Sequence, residues 1–275
     1  MNENRFENFQ NKRFQIFKEL VKRKWQKPLT NEDLEKVARD IAEKYSFKND
    51  EITFIKDHIR VAMGLDPNKN EVFTDELQSL NEKTRIESPI LTKIDGACVQ
   101  CGEKFEDCDC YDACKYEAHM YNKTEGPIIV EDKCLSCGRC TVQCTYGALA
   151  DKIEFIPLVD FLQQDDYSVY AAVAPSIAGQ FGADVSMGQL RTAFKLMGFE
   201  DMVEVALFAD ILTIKEAYDF NELVTTKEDF FLTSCCCPVW INLVEKNYPE
   251  LLEHMSLSIS PMIASGRFLK ELYSD

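Results

Sequence analysis

Residues Cys134–Cys144 read CLSCGRCTVQC, and the spacing of the four cysteines, C-x2-C-x2-C-x3-C, decides how the middle of this chain must fold. Three closely spaced thiolates can wrap one iron–sulfur cube, while the fourth reaches a different cube. Such a run needs a mate. Upstream, Cys98 and Cys101 precede Cys134 and Cys137 by 36 residues, and Cys110 and Cys114 precede Cys140 and Cys144 by 30. The halves form a repeat with six extra residues between Cys101 and Cys110. Only Cys110 stands C-x3-C from Cys114, so it is the expected ligand and Cys108 a spare thiol in the inserted loop. Gly138 lets the loop bend and aim its amides inward. Zinc is the competing reading, since C-x2-C pairs also build zinc ribbons; a tetrahedral site would leave the third and fourth cysteines of each half redundant.

Composition supports metal or redox chemistry. Nine of the twelve cysteines lie between Cys98 and Cys144. The start, MNENRFENFQNKRFQIFKEL, has no continuous apolar segment. No stretch reaches the roughly 18 apolar residues of a membrane helix. A cytoplasmic, reducing setting is expected, with no membrane partner, and cysteines there serve metals rather than disulfides. Formal net charge is −16, from 47 acidic and 31 basic residues. That balance excludes nucleic acid as a partner, because phosphate neutralisation needs a basic surface; it fits a solvated surface or an acidic face for a basic partner.

The pattern divides the chain into three. Residues 1–88 read as helices: RFENFQNKRFQIFKELVKRKW repeats apolar residues at helical spacing, TNEDLEKVARDIAEKY opens on a cap-like Thr30, and DEITFIKDHIRVAMG closes on Gly64. His58 in this leader is expected to be structural or solvated. Residues 89–158 hold the cysteines with little apolar periodicity, so bound metal rather than a hydrophobic core is expected to fold them. Residues 159–275 alternate strand-like and helix-like segments. SVYAAVAP, MVEVALF and DFFLTS read as strands; SIAGQFG, SMGQLRTAFKLMG, DILTIKEAYDFNELV, PVWINLVEKNY and SPMIASGRFLKELY read as helices. The expected class is α+β or α/β, with a parallel sheet whose site lies at the carboxyl ends of its strands.

The cysteine repeat resembles two-cluster ferredoxins. Their crossed arrangement implies two [4Fe–4S] clusters, one on Cys98, Cys101, Cys110 and Cys144, the other on Cys134, Cys137, Cys140 and Cys114. Lys115 and Thr145 stand where such runs usually place a proline. With eight cysteine ligands implied, His119 is expected to be a surface residue.

A second cysteine stretch, FLTSCCCPVW at Phe231–Trp240, widens the resemblance. Three thiols at a strand end and helix start lie near exposed amides and the positive end of a dipole. Together with AVAPSIAGQFG, MGQLRTAFKLMGF, VEVALFAD and NYPELLEHMSLSISP, residues 95–275 resemble the iron-only (FeFe) hydrogenases, most of all their group B-like monomeric branch. That resemblance implies an H-cluster, a [4Fe–4S] cube plus a two-iron unit. It also implies the reaction 2H⁺ + 2e⁻ ⇌ H₂, a ferredoxin or flavodoxin-type electron carrier, and hydrogenase maturation proteins. Aligned from Pro238, Cys236 would pass protons and Cys237 would ligate the cube; aligned from Thr233, the pair would be Cys235 and Cys236. The implied proton path continues through Glu216, Ser256 and Asp219, the last shorter than the family's usual glutamate. Ala174, Pro175 and Ser176 match the turn lining the two-iron unit.

The family's M-P-C-x-x-K motif and later C-x3-C do not occur in these residues. The expectation is therefore an amino-terminal portion that carries electrons but does not turn over hydrogen by itself. Alternatives are a ferredoxin-like electron-transfer protein, a hydrogenase-related sensory protein, or an iron–sulfur assembly protein.

Overall fold

A computed structural model describes residues 6–82, 90–98, 109–122, 126–227, 229, 233–234 and 236–273. A boundary after Asp160 divides the chain into two compact units.

The first unit begins with three leader helices: α1 (Phe9–Gln26), α2 (Asn31–Lys44) and α3 (Ile52–Ala62). Thr30 caps α2 as expected. Its hydroxyl accepts from the Asp33 N–H, and Asp33 accepts from the Thr30 N–H, so two groups left unpaired by the first turn are satisfied reciprocally. Gly64, past α3, takes φ +81, the left-handed turn that ends a helix. A short helix α4 (Glu76–Glu82) returns to α3 through Arg60. This guanidinium is fully buried and fully engaged: Nε donates to Glu76 at 2.8 Å and Nη1 to Asp57 at 2.9 Å. Its Nη2 donates to the carbonyls of Asn70 and Val72, and its plane lies over the Phe73 ring. Every donor direction of the fork is used, which is the condition for burying such a charge.

The cysteine region closes on the same core. Strand β1 (Leu91–Lys93) pairs antiparallel with β4 (Leu149–Asp151), and β2 (His119–Asn122) with β3 (Gly126–Ile129). Two short helices, α5 (Asp109–Asp112) and α6 (Arg139–Gln143), pack against each other. Ala97, Ala118, Ala148, Leu149 and Ala150 are buried in one cluster with Phe6, Phe9, Ile16, Leu20 and Leu34 of the leader. The expectation that no hydrophobic core could fold this region is thus corrected. The apolar surface is supplied by helices far away in sequence, Leu34 lying 63 residues before Ala97.

His58 and His119 both depart from solvated settings. His58 is buried between the rings of Phe9 and Phe54, at 4.3 and 4.6 Å. Burial, then the nearby Arg13 charge, hold its imidazole well below the usual titration range, with the Gly147 backbone opposing weakly. His119 is buried on β2 opposite Ile129, not on the surface, and burial lowers its titration too.

After helix α7 (Leu158–Leu162), the second unit holds a parallel pair: β5 (Tyr170–Val173) beside β6 (Asp201–Glu204), joined through helix α8 (Met187–Leu196). This is the strand–helix–strand order the alternation predicts. Ser186 caps α8 in a reciprocal pair with Gln189. Gly198 closes it at φ +94, where a Cβ would lie 2.8 Å from the Leu162 carbonyl oxygen.

Two expected elements change. The strand read into MVEVALF stops at Glu204, and Val205 opens the long helix α9 (Val205–Leu223). No Gly or Pro interrupts those nineteen residues. SIAGQFG is a three-residue 3₁₀ turn, Pro175–Ile177, not a helix, because Gly179 and Gly182 adopt left-handed φ values of +78 and +100. Helices α10 (Pro238–Asn247) and α11 (Pro261–Tyr273) begin on prolines as read, where a missing N–H costs nothing. Of DFFLTS, residues 230–232 lie outside the described residues; Thr233 bridges Met255 in parallel.

Candidate metal centres and active-site segment

The Cys134–Cys144 loop is bent by two left-handed residues, Ser136 at φ +55 and Gly138 at φ +77. The Ser136 N–H donates to the Cys134 sulfur at 3.4 Å. Cys140, buried on α6, is pushed up to about 12, first by burial and then by the sulfurs of Cys134, Cys114 and Cys137. These are the four positions of one implied quartet: three from the downstream run and Cys114 from the upstream one. Four crowded sulfurs cannot all ionise without positive charge among them, and that is the setting in which iron favours folding.

Of the other implied quartet, Cys110 and Cys144 are buried and Cys98 is half-buried. Cys101 lies outside the described residues, as do Cys108 and Cys235. Burial raises the Cys144 thiol, while the backbone N–H groups of Leu149, Ala148, Gly147 and Tyr146 favour its thiolate. A buried sulfur beside backbone dipoles that favour its thiolate fits a thiolate-bound anionic cluster. Among the described residues, no three His, Cys, Asp or Glu side chains converge on one point as ligands of a single ion would. A cube instead spreads its four thiolates over separate iron atoms.

In the second unit, the Thr233 N–H donates to the His254 carbonyl at 2.7 Å, and the Ser256 N–H donates to the Thr233 carbonyl at 2.8 Å. That ladder brings Ser256, itself buried, to the cysteine segment. Cys236 and Cys237 are exposed. Ser234 Oγ lies 3.1 Å from Cys236 Sγ, and Cys237 is the residue before α10, its carbonyl accepting from the Ile241 N–H. Glu216 and Asp219 sit one turn apart on α9, both half-buried. Lys215 bonds Asp219 and, at 3.5 Å, Ser258 Oγ, which ties this helix to the Ser256 loop. Ala174, Pro175 and Ser176 are exposed where β5 ends. Among the described residues no hydrogen bond joins them to Thr233, Ser234, Cys236 or Cys237.

Residues 167–275 match the family model of the iron only hydrogenase large subunit, C-terminal domain. Residues 167–275 are thus similar to iron-only hydrogenases. Curated relatives agree. The chain is 24% identical over 160 residues to the NADP-reducing hydrogenase subunit HndD of Solidesulfovibrio fructosivorans, covering 54% of this chain and 27% of that protein. It is 29% identical over 135 residues to iron hydrogenase 1 of Clostridium pasteurianum, covering 46% and 23%. It is 33% identical over 104 residues to the periplasmic [Fe] hydrogenase large subunit of Nitratidesulfovibrio vulgaris, covering 36% and 25%. The chain spans about a quarter of the length of these relatives. Similarity to hydrogenases points to iron–sulfur chemistry, and the cysteine segment Thr233–Cys237 falls inside the matched region. Among the described residues no helix is long and apolar enough to cross a membrane.

Sequence reasoning missed three features. The amides of Tyr146–Leu149 follow a Thr-Tyr-Gly-Ala stretch whose glycine was the available signal. The leader's attachment to the cysteine loop and the burial of His58 depend on contacts between segments far apart in sequence, for which no local signal exists.

Proposed function

We propose that this chain supplies two [4Fe–4S] clusters and the cysteine-bearing start of the catalytic domain of an iron-only hydrogenase of the group B-like monomeric kind. The observation that carries the reading is Cys140 with Cys134, Cys137 and Cys114 as its sulfur neighbours, one ligand crossing from the upstream run. Bound there, the clusters supply one-electron relays between a carrier of ferredoxin or flavodoxin type and the H-cluster. The chain buries Cys110, Cys134, Cys140 and Cys144 and aims the Ser136 amide at Cys134, while Cys137 stays exposed. Cys98, Cys101, Cys110 and Cys144 would hold the companion cluster.

In the second unit Cys237 would ligate the H-cluster cube, and Ala174, Pro175 and Ser176 would line the two-iron unit. Cys236 would hand protons toward Glu216, Ser256 and Asp219. Ser256 beside Thr233, and Lys215 between Asp219 and Ser258, support a path running from the cysteine segment onto α9. Reduced thiols fit a cytoplasmic setting, and maturation proteins would install the two-iron unit.

One observation favours a second, narrower reading, an electron-transfer protein without hydrogenase activity. Past Cys144 the only cysteines are Cys235, Cys236 and Cys237, adjacent in the chain, whereas a cube needs ligands around all its corners. These residues taken alone should therefore evolve no hydrogen even with maturation proteins present. Anaerobic reconstitution should give about eight iron and eight sulfide per chain, by four cysteines to each cluster, and Cys140→Ser should roughly halve the iron. Zinc in place of iron, or full iron in Cys140→Ser, would refute the ligand assignment.

A further inference from the structure

The first turn of α1 is bonded to the Cys144 loop at three levels. The Phe9 N–H donates to the Thr145 carbonyl at 2.9 Å, and Gln10 Nε2 donates to the Thr141 carbonyl at 2.6 Å. Arg13 Nη2 reaches both the carbonyl and a carboxylate oxygen of Asp151, each at 3.0 Å. These bonds fall before, just after and beyond Cys144. Between them lies Gly147 at φ +79, and the Phe9 side chain occupies the space a Cβ there would need, 2.6 Å to Cγ and 2.9 Å to Cβ. Phe9 is itself fully buried, with the rings of Phe54 and His58 at 4.8 and 4.3 Å. In the same segment the Gly147 N–H donates to the Cys144 carbonyl at 3.4 Å, and Cys144, Ala148, Leu149 and Ala150 are all buried in the core the leader closes.

We propose that the leader's start is a clamp: Phe9, Gln10 and Arg13 hold the loop that carries the buried Cys144 in place and keep water off it, setting the potential and lifetime of the cluster Cys144 ligates. The proposal rests on Cys144 being a cluster ligand. Solvent exposure is one of the levers that set an iron–sulfur potential, and the leader controls it here. Phe9, Gln10 and Arg13 touch neither iron nor sulfur; they are positioning residues.

The test uses the full chain, reconstituted anaerobically, in wild type, Phe9→Ala, Gln10→Ala and, as a control, Leu34→Ala. Leu34 is buried in the same core from α2. Iron content, an EPR-monitored redox titration and the rate of bleaching under a chelator are read for each. Phe9→Ala and Gln10→Ala should bind wild-type iron, shift the potential of one cluster only, and bleach about tenfold faster, the scale on which residues behind a metal ligand act. Gln10 is only partly buried, so its variant carries the test if Phe9→Ala does not fold. Wild-type potentials and bleaching in the folded clamp variants would overturn the clamp. So would Leu34→Ala moving the same cluster as far. Wild type binding no iron would refute the ligand assignment itself.

Discussion

Up to Asp160, buried charges find partners and apolar faces find cover; beyond it, large apolar faces lie open. In the first unit all three guanidinium nitrogens of Arg60 donate, and Phe6, Phe9, Phe47 and Phe54 meet in edge-on and tilted ring contacts. In the second, α9 spreads its apolar residues around the helix instead of along one stripe, a pattern suited to enclosure. Yet only Val205 and Phe208 on it are buried, while Leu207 is 58% and Ile214 63% exposed. On α11, Met262, Phe268 and Leu272 are exposed as well. Patches of that kind mark surfaces that normally meet something. They lie within the region of hydrogenase similarity, in a chain whose match covers about a quarter of its relatives' length. The first unit's sequence is satisfied by these residues, and the second unit's sequence is written for a more enclosed setting.

Charge deletion should break the two regions apart most clearly. Arg60→Ala leaves Asp57 and Glu76 buried without their cation and should cost about 3–5 kcal/mol in denaturant unfolding. Arg191→Ala in the second unit removes a half-exposed pair with Asp201, 3.2 Å apart, and should cost at most about 1 kcal/mol. Similar losses at both sites would mean that the contrast in closure is not energetic.

Acid sharpens the same contrast. His58 stays neutral when folded, whereas the unfolded chain binds a proton below a pKa of about 6.5. The unfolded state then holds more protons, so the first unit should lose stability as pH falls below about 6.5, by at most about 1.4 kcal/mol per pH unit. His58→Phe should flatten that slope. A slope unchanged by the substitution would assign the sensitivity elsewhere. Asp33 and Glu76 respond separately: for Glu76, burial opposes ionisation, but bonds from Arg60 and nearby backbone more than compensate. Their contributions are lost only at lower pH, as these carboxylates protonate.

Why some of this was legible follows from range. Thr30 and Ser186 announce helix starts because a cap acts within three residues, and Gly64 and Gly198 announce ends for the same reason. The cysteine spacing is local within each run, so candidate ligands could be named from it without any long-range contact. The change from strand to helix at Val205 was not legible, since VALF suits either state and the nineteen-residue helix decides. Nor was the filling of the cysteine region by the leader, where Gln10 and Thr141 meet across 131 positions.

The smallest expected effect tests whether local signals weigh the same in both regions. Thr30→Ala and Ser186→Ala each remove one reciprocal cap, worth about 1 kcal/mol to the helix it opens. In the first unit α2 packs on α1 and α3, so the loss at Thr30 should spread to the whole unit and lower its unfolding midpoint. On α8 only Leu190 is buried, so the same loss at Ser186 should stay local. Hydrogen exchange would then show faster amides near 187–190 while the unfolding midpoint of the first unit holds. Equal midpoint shifts from both substitutions would show that the two units unfold together, and that the open faces of the second cost it no independence.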